Sequence, residues 1–398
     1  MEWKELQTLV KRKIGYGIVQ PGPSVPKGVP IIKVNNIISG LYDTKHLDKT
    51  TVENDAKYQR TKLKGGELIV TVVGTCGKTA IVPIHFAGCN LVRATCLIDI
   101  EDETICKWIK YYIDSPHGQA YINRNLNTTV QATLNVKSLN VMPIPFYSDE
   151  YTSNVVNILS SLDRKIELDN KINADLEEMA QAIFKNWFVD FEPFKDGKFV
   201  DSELGMIPEG WKVGTLRDIT NNKTAKVKER NDVKVLSPVT SGELVLSEEY
   251  FTKQVFSSSI AKYKIVNKGD FAYNPARVNI GSIGRNEFDF DGCVSPVYVV
   301  FSVLDGYENY FDLFRKTDFF KDSVASLAIG GVRQSLSYDD LSLIETIIPS
   351  KNIVEKFNNL YNQMKKTIKA NKLENSRLSL LRDTLLPRLM SGELEVPE

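Results

Sequence analysis

An internal repeat constrains this 398-residue chain more than any other feature of its sequence. Short strings recur in the same order at an offset close to 202 residues: Ser39-Gly40 as Ser241-Gly242, Gly66-Glu67-Leu68 as Gly269-Asp270-Phe271, Gly88-Cys89 as Gly292-Cys293, and residues 130–134 as 332–336. Because the repeated unit is about half of the chain, it predicts two similar domains rather than a solenoid of short repeats.

Each copy has a mixed section followed by one long helix. Short β-rich runs at 68–73, 80–84 and 297–301 are broken by Gly and Pro, and helical stretches lie at 103–113 and 309–320. The long helices are predicted at about 155–190 and 352–390. This pattern predicts an α+β fold with five segments: a first domain (1–148), a spacer helix (149–190), a linker (191–210), a second domain (211–349), and a second spacer helix with the C-terminal tail (350–398).

The repeat also continues across the ends of the chain. The second copy opens with Pro208-Glu209-Gly210-Trp211-Lys212, whereas the chain ends in Pro397-Glu398 and begins with Met1-Glu2-Trp3-Lys4. Joining the tail to the head nearly recreates the internal junction, so the sequence predicts a pseudo-two-fold cyclic duplication with neighbouring termini. The alternative is coincidence in a short string.

Each long helix carries a seam whose spacings alternate between four and three residues. Such heptad seams predict that the two helices pack as an antiparallel coiled coil. The first seam is Val155, Leu159, Leu162, Ile166, Asp169, Asn173, Leu176, Ala180, Ile183 and Trp187, and the second is Phe357, Tyr361, Met364, Ile368, Asn371, Asn375, Leu378, Arg382, Leu385 and Leu389.

The middle of both seams is polar. In a centred antiparallel pair Asp169 faces Asn375, and Asn173 faces Asn371. Because buried polar groups are costly unless paired, a shared polar layer would penalise shifted registers. We therefore predict that these four residues fix the register; the alternative is a solvent-facing flank of the seam.

The length of the helices suggests a spacer. About 36 helical residues span about 54 Å at about 1.5 Å per residue. An antiparallel pair has a local two-fold axis, and duplex DNA has the same local symmetry. Two domains held apart in this way would read a split DNA site with an unread gap.

The charge of the chain is balanced overall but uneven along it. The 50 basic and 50 acidic residues cancel, although phosphate contacts dominate affinity for DNA. Residues 1–148 carry a net +6, 149–190 a net −5, 191–349 a net −4 and 350–398 a net +3. Zero net charge therefore does not exclude local basic faces.

The sequence contains no signal for a membrane or a metal. No apolar run approaches the roughly 18 residues of a bilayer span, and the N-terminus lacks the features of a signal peptide, which predicts a cytoplasmic protein. The five cysteines form no CxxC pair and only three histidines are present, so we expect free buried thiols and no metal site.

Two segments imitate catalytic motifs. Gly74 to Thr79 resembles the end of a phosphate-binding loop, but Val72 stands where that motif needs its first Gly, and a strand follows rather than a helix. Asn274-Pro275-Ala276-Arg277 resembles the base-holding motif of amino-methyltransferases, without its second Pro and aromatic residue. We interpret the first as a turn between strands and the second as a turn that presents Arg277, and we find no catalytic constellation.

The junctions of the repeat resemble a known family. Its motifs are Phe184 with residues 187–191 and 204–211, the ending at 385–394, and Gly330 to Gln334. They resemble the specificity subunits of type I restriction–modification systems. The resemblance covers essentially the whole chain, and its motifs fall at both matching points of the repeat.

The resemblance implies two target-recognition domains, each of which reads one half of a bipartite double-stranded DNA sequence. It implies that the helices set the gap and dock two methyltransferase subunits, which bind S-adenosylmethionine and methylate adenine; this chain would hold no cofactor and no catalytic site. Restriction and motor subunits, two in a full complex, complete such systems, and the sequence leaves their presence open. In one departure, Gln131 stands where the second copy has Arg333, which puts the role of that family-typical Arg in the first domain in doubt.

Candidate DNA contacts are the side chains suited to phosphates and base edges. In the first domain they are Lys57, Arg60, Lys62, Lys64, Lys78, Asn123, Arg124, Asn125, Asn127, Thr128 and Gln131. In the second domain they are Lys223, Lys226, Lys228, Arg230, Arg277, Asn279, Arg285, Arg333 and Gln334. Each of them also fits a solvated surface residue, and Arg333 fits a structural role in a Gly-rich loop.

Two other classes of protein stay open at this point. One is a self-contained DNA-modifying enzyme with cryptic motifs, which methyl transfer by the purified chain alone would reveal. The other is a coiled-coil assembly protein without sequence specificity, which competition binding against scrambled duplexes would reveal.

Overall fold

A computed structural model describes residues 1–39, 41, 44, 46–127, 131–251, 253–327 and 335–396. The chain divides into two compact units, residues 1–170 with 372–398 and residues 171–371. The unit boundaries fall inside both long helices, so each unit contains one mixed domain and half of each helix. This division differs from the five predicted segments, which treated the helices as separate.

The first unit contains most of the N-terminal half of the chain. Its strands are β1 (Glu2–Glu5), β2 (Gly15–Tyr16), β3 (Val29–Ile32), β4 (Lys49–Thr50), β5 (Leu68–Thr71), β6 (Thr79–Ile81), β7 (Asn90–Leu91), β8 (Thr95–Ile98), β9 (Leu126–Asn127), β10 (Thr133–Leu134) and β11 (Pro143–Phe146). Its helices are α1 (Val34–Ser39), α2 (Val52–Ala56), α3 (Glu103–Asp114), α4 (Pro116–Arg124), α5 (Val136–Asn140) and the start of α6 (Asp149–Phe188).

The second unit continues from α6. Its strands are β12 (Phe199–Val200), β13 (Ile207–Pro208), β14 (Lys212–Thr215), β15 (Thr220–Lys223), β16 (Lys234–Pro238), β17 (Leu244–Leu246), β18 (Lys264–Val266), β19 (Phe271–Tyr273), β20 (Ile283–Arg285), β21 (Gly292–Val294), β22 (Val299–Val303) and β23 (Glu345–Ile348). Its helices are α7 (Ser247–Tyr250), α8 (Glu308–Phe314), α9 (Asp318–Leu327), α10 (Tyr338–Ser342) and the start of α11 (Lys351–Met390), which ends in the first unit.

The sheets repeat with the same topology in both units. β1 pairs with β11 as β14 pairs with β23, and the order β2-β8-β5-β6 corresponds to β15-β22-β19-β20. In a third sheet β3 pairs with β4 antiparallel and with β7 parallel, as β16 does with β17 and β21. The predicted duplication and the α+β class are therefore confirmed. Among the described residues, β18 extends the third sheet of the second copy, and the two-stranded sheets β9-β10 and β12-β13 each occur in one unit only.

The long helices pack antiparallel within each unit. In the first unit Asp163 contacts Arg382 and Asn170 contacts Asn375. In the second unit Asn173 contacts Asn371, and the Trp187 ring lies 6.0 Å from the Phe357 ring. In each pair the residue number rises on one helix as it falls on the other, as the predicted coiled coil requires.

Each unit has its own apolar core, and half of each helix belongs to it. In the first unit the buried side chains of α6 and α11 include Val155, Leu159 and Leu389, which join the core around Trp108. In the second unit they include Phe184 and Phe357, which pack with the rings of β19, β22 and α8. The mixed domains thus bury part of each helix seam toward its ends.

Both chain ends belong to the first unit. Leu6 is fully buried in the same cluster against which Leu394 and Val396 pack. The Tyr151 hydroxyl donates to the carbonyl of Leu394 at 3.0 Å. This arrangement agrees with the neighbouring termini that the cyclic repeat predicts.

Two local predictions were wrong. The helix predicted over 309–320 is two helices, because the chain leaves α8 at Arg315 and the Thr317 hydroxyl accepts from the amide of Phe320 at the start of α9. The strand predicted over 80–84 ends at Ile81, and Ile84 begins a short 3-10 helix that ends at Phe86.

No helix in the described ranges is both long enough and apolar enough to span a bilayer. Among the same residues, no cluster of three or more His, Cys, Asp or Glu side chains is placed to hold a metal ion.

Candidate nucleic-acid interface

The segment that imitates a phosphate-binding loop is a hairpin turn. β5 and β6 pair antiparallel, and the turn between them, residues 72–78, is closed by hydrogen bonds from the amide of Gly77 and the amide of Lys78 to Thr71. Gly74 and Gly77 have φ of +76° and +82°, a conformation that favours glycine. The interpretation as a turn between strands is confirmed, and the Lys78 side chain is exposed beside it.

A sequence-distant stretch of candidates converges on this turn. The Gly74 amide donates to the carbonyl of Ala132 at 2.8 Å, and the Leu134 amide donates to that of Val72. A Cβ on Gly74 would lie 3.1 Å from Nε2 of Gln131, which is exposed. The structure therefore brings Gln131 against the hairpin turn that carries Lys78.

Helix α4 packs on the other side of the turn. The Gln119 amide donates to the carbonyl of Gly77 at 2.9 Å. Asn123 and Arg124 are exposed at the end of this helix, whereas the Asn125 amide is held by the carbonyl of Tyr121 at 2.9 Å.

The next strand extends this surface. Asn127 is exposed on β9, which pairs with the strand that follows Gln131. Lys78, Asn123, Arg124, Asn127 and Gln131 are thus exposed on the hairpin turn or on the neighbouring segments, and we call these five residues together the first reading surface.

The second unit places its candidates at the equivalent hairpin. β19 and β20 correspond to β5 and β6, and their longer connection, residues 274–282, contains a 3-10 helix from Val278 to Ile280. Arg277 and Asn279 are both exposed on this connection. The Leu336 amide donates to the carbonyl of Pro275 at 3.1 Å, as Leu134 bonds to Val72 in the first unit. We call this connection the second reading surface.

The basic run 57–64 lies elsewhere, after α2 and around the 3-10 helix Gln59–Thr61. Lys57, Arg60 and Lys64 are exposed. Lys62 is held by the nearly buried Asp55, with 2.6 Å between Nζ and Oδ2. This ion pair explains Lys62 without any DNA.

The basic run of the second unit is also separate from its reading surface. Lys223 lies on β15 and is half-buried, whereas Lys226 and Lys228 are exposed. Arg230 is held by Asp232 at 2.7 Å and by Asp291 at 3.1 Å.

Arg285 lies at the far end of β20 from the reading surface. Its guanidinium donates to Oδ1 of Asn309 at 2.9 Å and lies over the Phe271 ring. Asn309 in turn donates to Asn358 and Asn362 of α11. These contacts favour a structural role for Arg285 over contact with bases.

Three candidate DNA contacts, Thr128, Arg333 and Gln334, lie outside the described residues.

Of the predicted register residues, Asn371 donates to Oδ1 of Asn173 at 2.9 Å, as the predicted pairing requires. Asn375 donates to Oδ1 of Asn170 at 3.0 Å and not to Asp169, its predicted partner, and among the described residues its own buried Oδ1 has no hydrogen-bond partner. Asp169 is buried and paired with Lys165 at 2.7 Å. The role of these residues in fixing the register stays a prediction.

Sequence reasoning missed a set of ionic side chains behind the reading surfaces. The most buried are Asp312 and Arg315, which form an ion pair at 2.7 Å and have side chains that are 6% and 7% exposed. In the first unit Asp163 accepts from Arg382 and from Tyr111, both at 2.8 Å. The sequence held two signals: Arg382 is a charged residue at a seam position, and Asp312 and Arg315 are three residues apart within a stretch predicted as helical.

Comparison with known proteins identifies related sequences. A family model described as the type I restriction modification DNA specificity domain matches residues 22–178. The type I restriction enzyme MjaIX specificity subunit of Methanocaldococcus jannaschii is 30% identical over 319 residues, which are 75% of this chain and 71% of that protein. The EcoBI specificity subunit of Escherichia coli is 30% identical over 196 residues, 47% of this chain and 41% of that protein.

A solved structure has the same fold. The S subunit of a type I restriction–modification system from M. genitalium superposes with a TM-score of 0.55 at 15% identity, over 100% of this chain and 97% of that chain. At that identity the likeness concerns the fold, and it agrees with the α+β architecture described above.

Proposed function

Because the chain belongs to the family of type I restriction enzyme specificity subunits, we propose that it reads a bipartite DNA target, one half with each domain. Its two long helices, α6 and α11, set the unread gap between the halves. In this proposal the first and second reading surfaces enter the grooves of a duplex, and the polar centre of the helices fixes their register.

One observation supports this proposal above the others. In both units the connection between equivalent strands carries exposed side chains of the types that read DNA, Lys78 in the first and Arg277 and Asn279 in the second. Arg pairs with the edge of guanine and Asn with that of adenine, whereas Lys grips phosphate. Equivalent places in a duplicated fold with different side chains fit two half-sites of different sequence.

The chain works with catalytic partners in this proposal. Two methyltransferase subunits dock on the long helices, and S-adenosylmethionine binds to those subunits; restriction and motor subunits complete the complex where they are present. Exposed apolar residues on α11 support such docking, since Leu373, Leu380 and Leu381 are 55%, 70% and 47% exposed. Leu373 and Leu380 are seven residues apart and therefore share one face of α11, and exposed apolar patches are typical of protein-binding surfaces.

Mapping of methylated adenines in cells tests the proposal. The full chain is expressed with its methyltransferase subunit, with and without the Arg277→Ala substitution. We expect the wild type to methylate a single bipartite motif and the variant to relax one half of it. Methylation without a bipartite motif would contradict the proposal, and Lys268→Ala, at the other end of β19, is the matched control.

A second experiment separates the proposal from an enzyme with cryptic motifs. The purified full chain, S-adenosylmethionine and a duplex with the mapped motif are combined with and without the methyltransferase subunit. We expect methyl transfer only when that subunit is present. Transfer by the chain alone would make it an enzyme, and equal binding of a scrambled duplex would make it an assembly protein without specificity.

A further inference from the structure

A series of polar contacts begins at β6, the strand that follows the turn carrying Lys78. The Thr79 hydroxyl, on the first residue of β6, donates to Oδ1 of Asp114 at 2.6 Å. The other oxygen of Asp114 accepts from Nζ of Lys110 at 2.9 Å. Both residues belong to α3, so this helix holds the start of β6 through a carboxylate.

The series of polar contacts continues from α3 to the two long helices. Nζ of Lys110 lies 3.8 Å from Asp163 of α6, which also accepts from Tyr111. The other oxygen of Asp163 accepts from Arg382 of α11 at 2.8 Å. Burial opposes the charge on Lys110, but the two carboxylates raise its pKa above the ordinary value. Five side chains thus connect both long helices to β6 within the first unit.

The second unit makes the same connection with other residues. Nη1 of Arg315, which follows α8, donates to the carbonyl of Ile283, the first residue of β20, at 2.9 Å, and Nη2 donates to that of Gly242 at 3.1 Å. Arg315 is paired with Asp312 of α8, and the Tyr361 hydroxyl of α11 donates to the second oxygen of that carboxylate at 3.4 Å. The contacts again run from a long helix to the strand after the reading surface.

The positions of β6 and β20 in their sheets explain why contacts to the long helices would matter. β6 and β20 are each the last strand in their sheet, so hydrogen bonds to a neighbouring strand hold them on one side. An edge strand is less constrained than a central one. The ion pair of the second unit is buried, and because buried ion pairs contribute little net stability but demand a specific geometry, it positions groups better than it stabilises the fold. In the first unit the hydrogen bonds from Thr79 and Lys110 to Asp114 impose the geometry.

We propose that Thr79 and Asp114 in the first unit, and Arg315 and Asp312 in the second, are positioning residues for DNA recognition. They hold the edge strand after each reading surface in a fixed place relative to the long helices of the same unit. This inference rests on the proposed function of the two surfaces. It predicts that these residues affect how sharply a half-site is read, although they do not touch DNA.

Variants of Thr79 test the first unit. The full chain selects from a library of random-sequence duplexes, and discrimination at each half-site is read from the enriched sequences. Thr79→Val removes the hydroxyl and keeps the shape, and Thr79→Ser keeps the hydroxyl. We expect Thr79→Val to lower discrimination at one half-site about tenfold, since small displacements of a recognition group are costly, and Thr79→Ser to retain it.

The double variant Asp312→Leu, Arg315→Met tests the second unit without leaving an unpaired buried charge. We expect it to lower discrimination about tenfold at the other half-site only, with the far-ultraviolet circular dichroism of the wild type. Unchanged discrimination in both variants, or an equal loss at both half-sites, would overturn the inference. A wild type that enriches no bipartite motif would instead overturn the proposed function, so the two failures are distinguishable.

Discussion

The two units share a topology but hold their reading surfaces with different chemistry. In the first, the turn between β5 and β6 is short and depends on Gly74 and Gly77; in the second, the connection between β19 and β20 spans residues 274–282 and carries a 3-10 helix. Behind the first surface the ionic side chains are partly exposed, with 27% for Asp163 and 30% for Arg382. Behind the second they are nearly buried.

This difference shows which properties the duplication preserved. The order of the shared strands is the same in both units, and in both a path of contacts runs from α11 to the edge strand. The path of the first unit also includes α6, and the residues along the two paths differ. A path preserved with different residues is expected where the position of the reading surface matters in both domains and its sequence preference differs. The comparison therefore separates the features that build a reader from those that specify its target.

The largest expected effect is on stability, and it distinguishes the ion pair of Asp312 and Arg315 from that of Asp163 and Arg382. Arg315→Met leaves the Asp312 carboxylate buried without its cation, which costs about 3–5 kcal/mol. Arg382→Met costs about 1–2 kcal/mol, because Asp163 is more exposed and keeps Tyr111 and Lys110 as partners. Hydrogen exchange of β20 and β6 in the full chain measures the two losses separately.

The exposed ion pair of Lys321 and Asp318 provides the control, and Lys321→Met should change the stability little.

The pH dependence of stability gives a second test of the Asp312–Arg315 pair. Burial raises the pKa of Asp312, but Arg315, together with Lys316 and Lys365, outweighs this effect and holds that pKa below the ordinary 3.8. A lowered pKa stabilises the fold above the unfolded value and loses this contribution as the pH falls. The difference between wild type and Arg315→Met should therefore shrink below about pH 4, and a constant difference would contradict the pairing.

The next effect concerns DNA and contrasts the two reading surfaces. Arg277→Ala should cost about 1–3 kcal/mol and relax specificity at one base pair, because Arg reads a base edge. Lys78→Ala should weaken all duplexes alike and lower the salt dependence by about one ion, because Lys neutralises a phosphate. Binding titrations on mapped and scrambled duplexes over a range of salt check both, and a specificity change in Lys78→Ala would remove the contrast.

Much of the fold was predictable because the sequence contains an internal repeat. The offset of 202 residues predicted two similar domains, and the alternating seam predicted helices that the structure places at Asp149–Phe188 and Lys351–Met390. The Gly turn after β5 was predictable because a strand followed where a phosphate-binding loop needs a helix.

The partners of charged side chains were not predictable. The sequence pointed to Lys62 in a basic run and to Arg285 as a further candidate, but their partners Asp55 and Asn309 are polar residues elsewhere in the chain. Asp312 and Arg315 are only three residues apart, but other contacts behind the reading surfaces join residues far apart in sequence, such as Asp163 and Arg382. Local patterns contain no information on such pairs, which only the packing of the helices brings together.

A smaller effect concerns the polar centre of the helices. Asn173→Leu leaves the amide of Asn371 without its acceptor and should cost about 1–2 kcal/mol. Asn375→Leu should cost less, because Oδ1 of that amide already lacks a partner among the residues that the structure describes. Replacement of Asp169, Asn173, Asn371 and Asn375 together by Leu should raise stability and lose the single register. Engineered cysteine cross-links between α6 and α11 measure the register, and a retained single register would refute its dependence on these residues.

The smallest expected effect is a change in the labelling rate of one thiol, and it examines the first reading surface alone. Cys76 is half-buried in the hairpin turn, with its thiol 3.5 Å from the carbonyl of Ala132. The other four cysteines are buried, and burial raises the pKa of Cys96 and Cys106 to about 12 and that of Cys293 to about 11. Since thiolates are the reactive form, a thiol reagent at pH 8 should label Cys76 first, and Cys76→Ser should abolish that phase.

Bound DNA should slow the labelling of Cys76 several-fold, because the turn that carries it would lie against the duplex. Arg277→Ala should leave this protection in place at saturating DNA, since it affects the other surface. Protection by the mapped duplex but not by a scrambled one would show that the first surface engages only on its target. Labelling that DNA does not change would place this turn outside the interface, and the two units would then differ in where they read as well as in what they read.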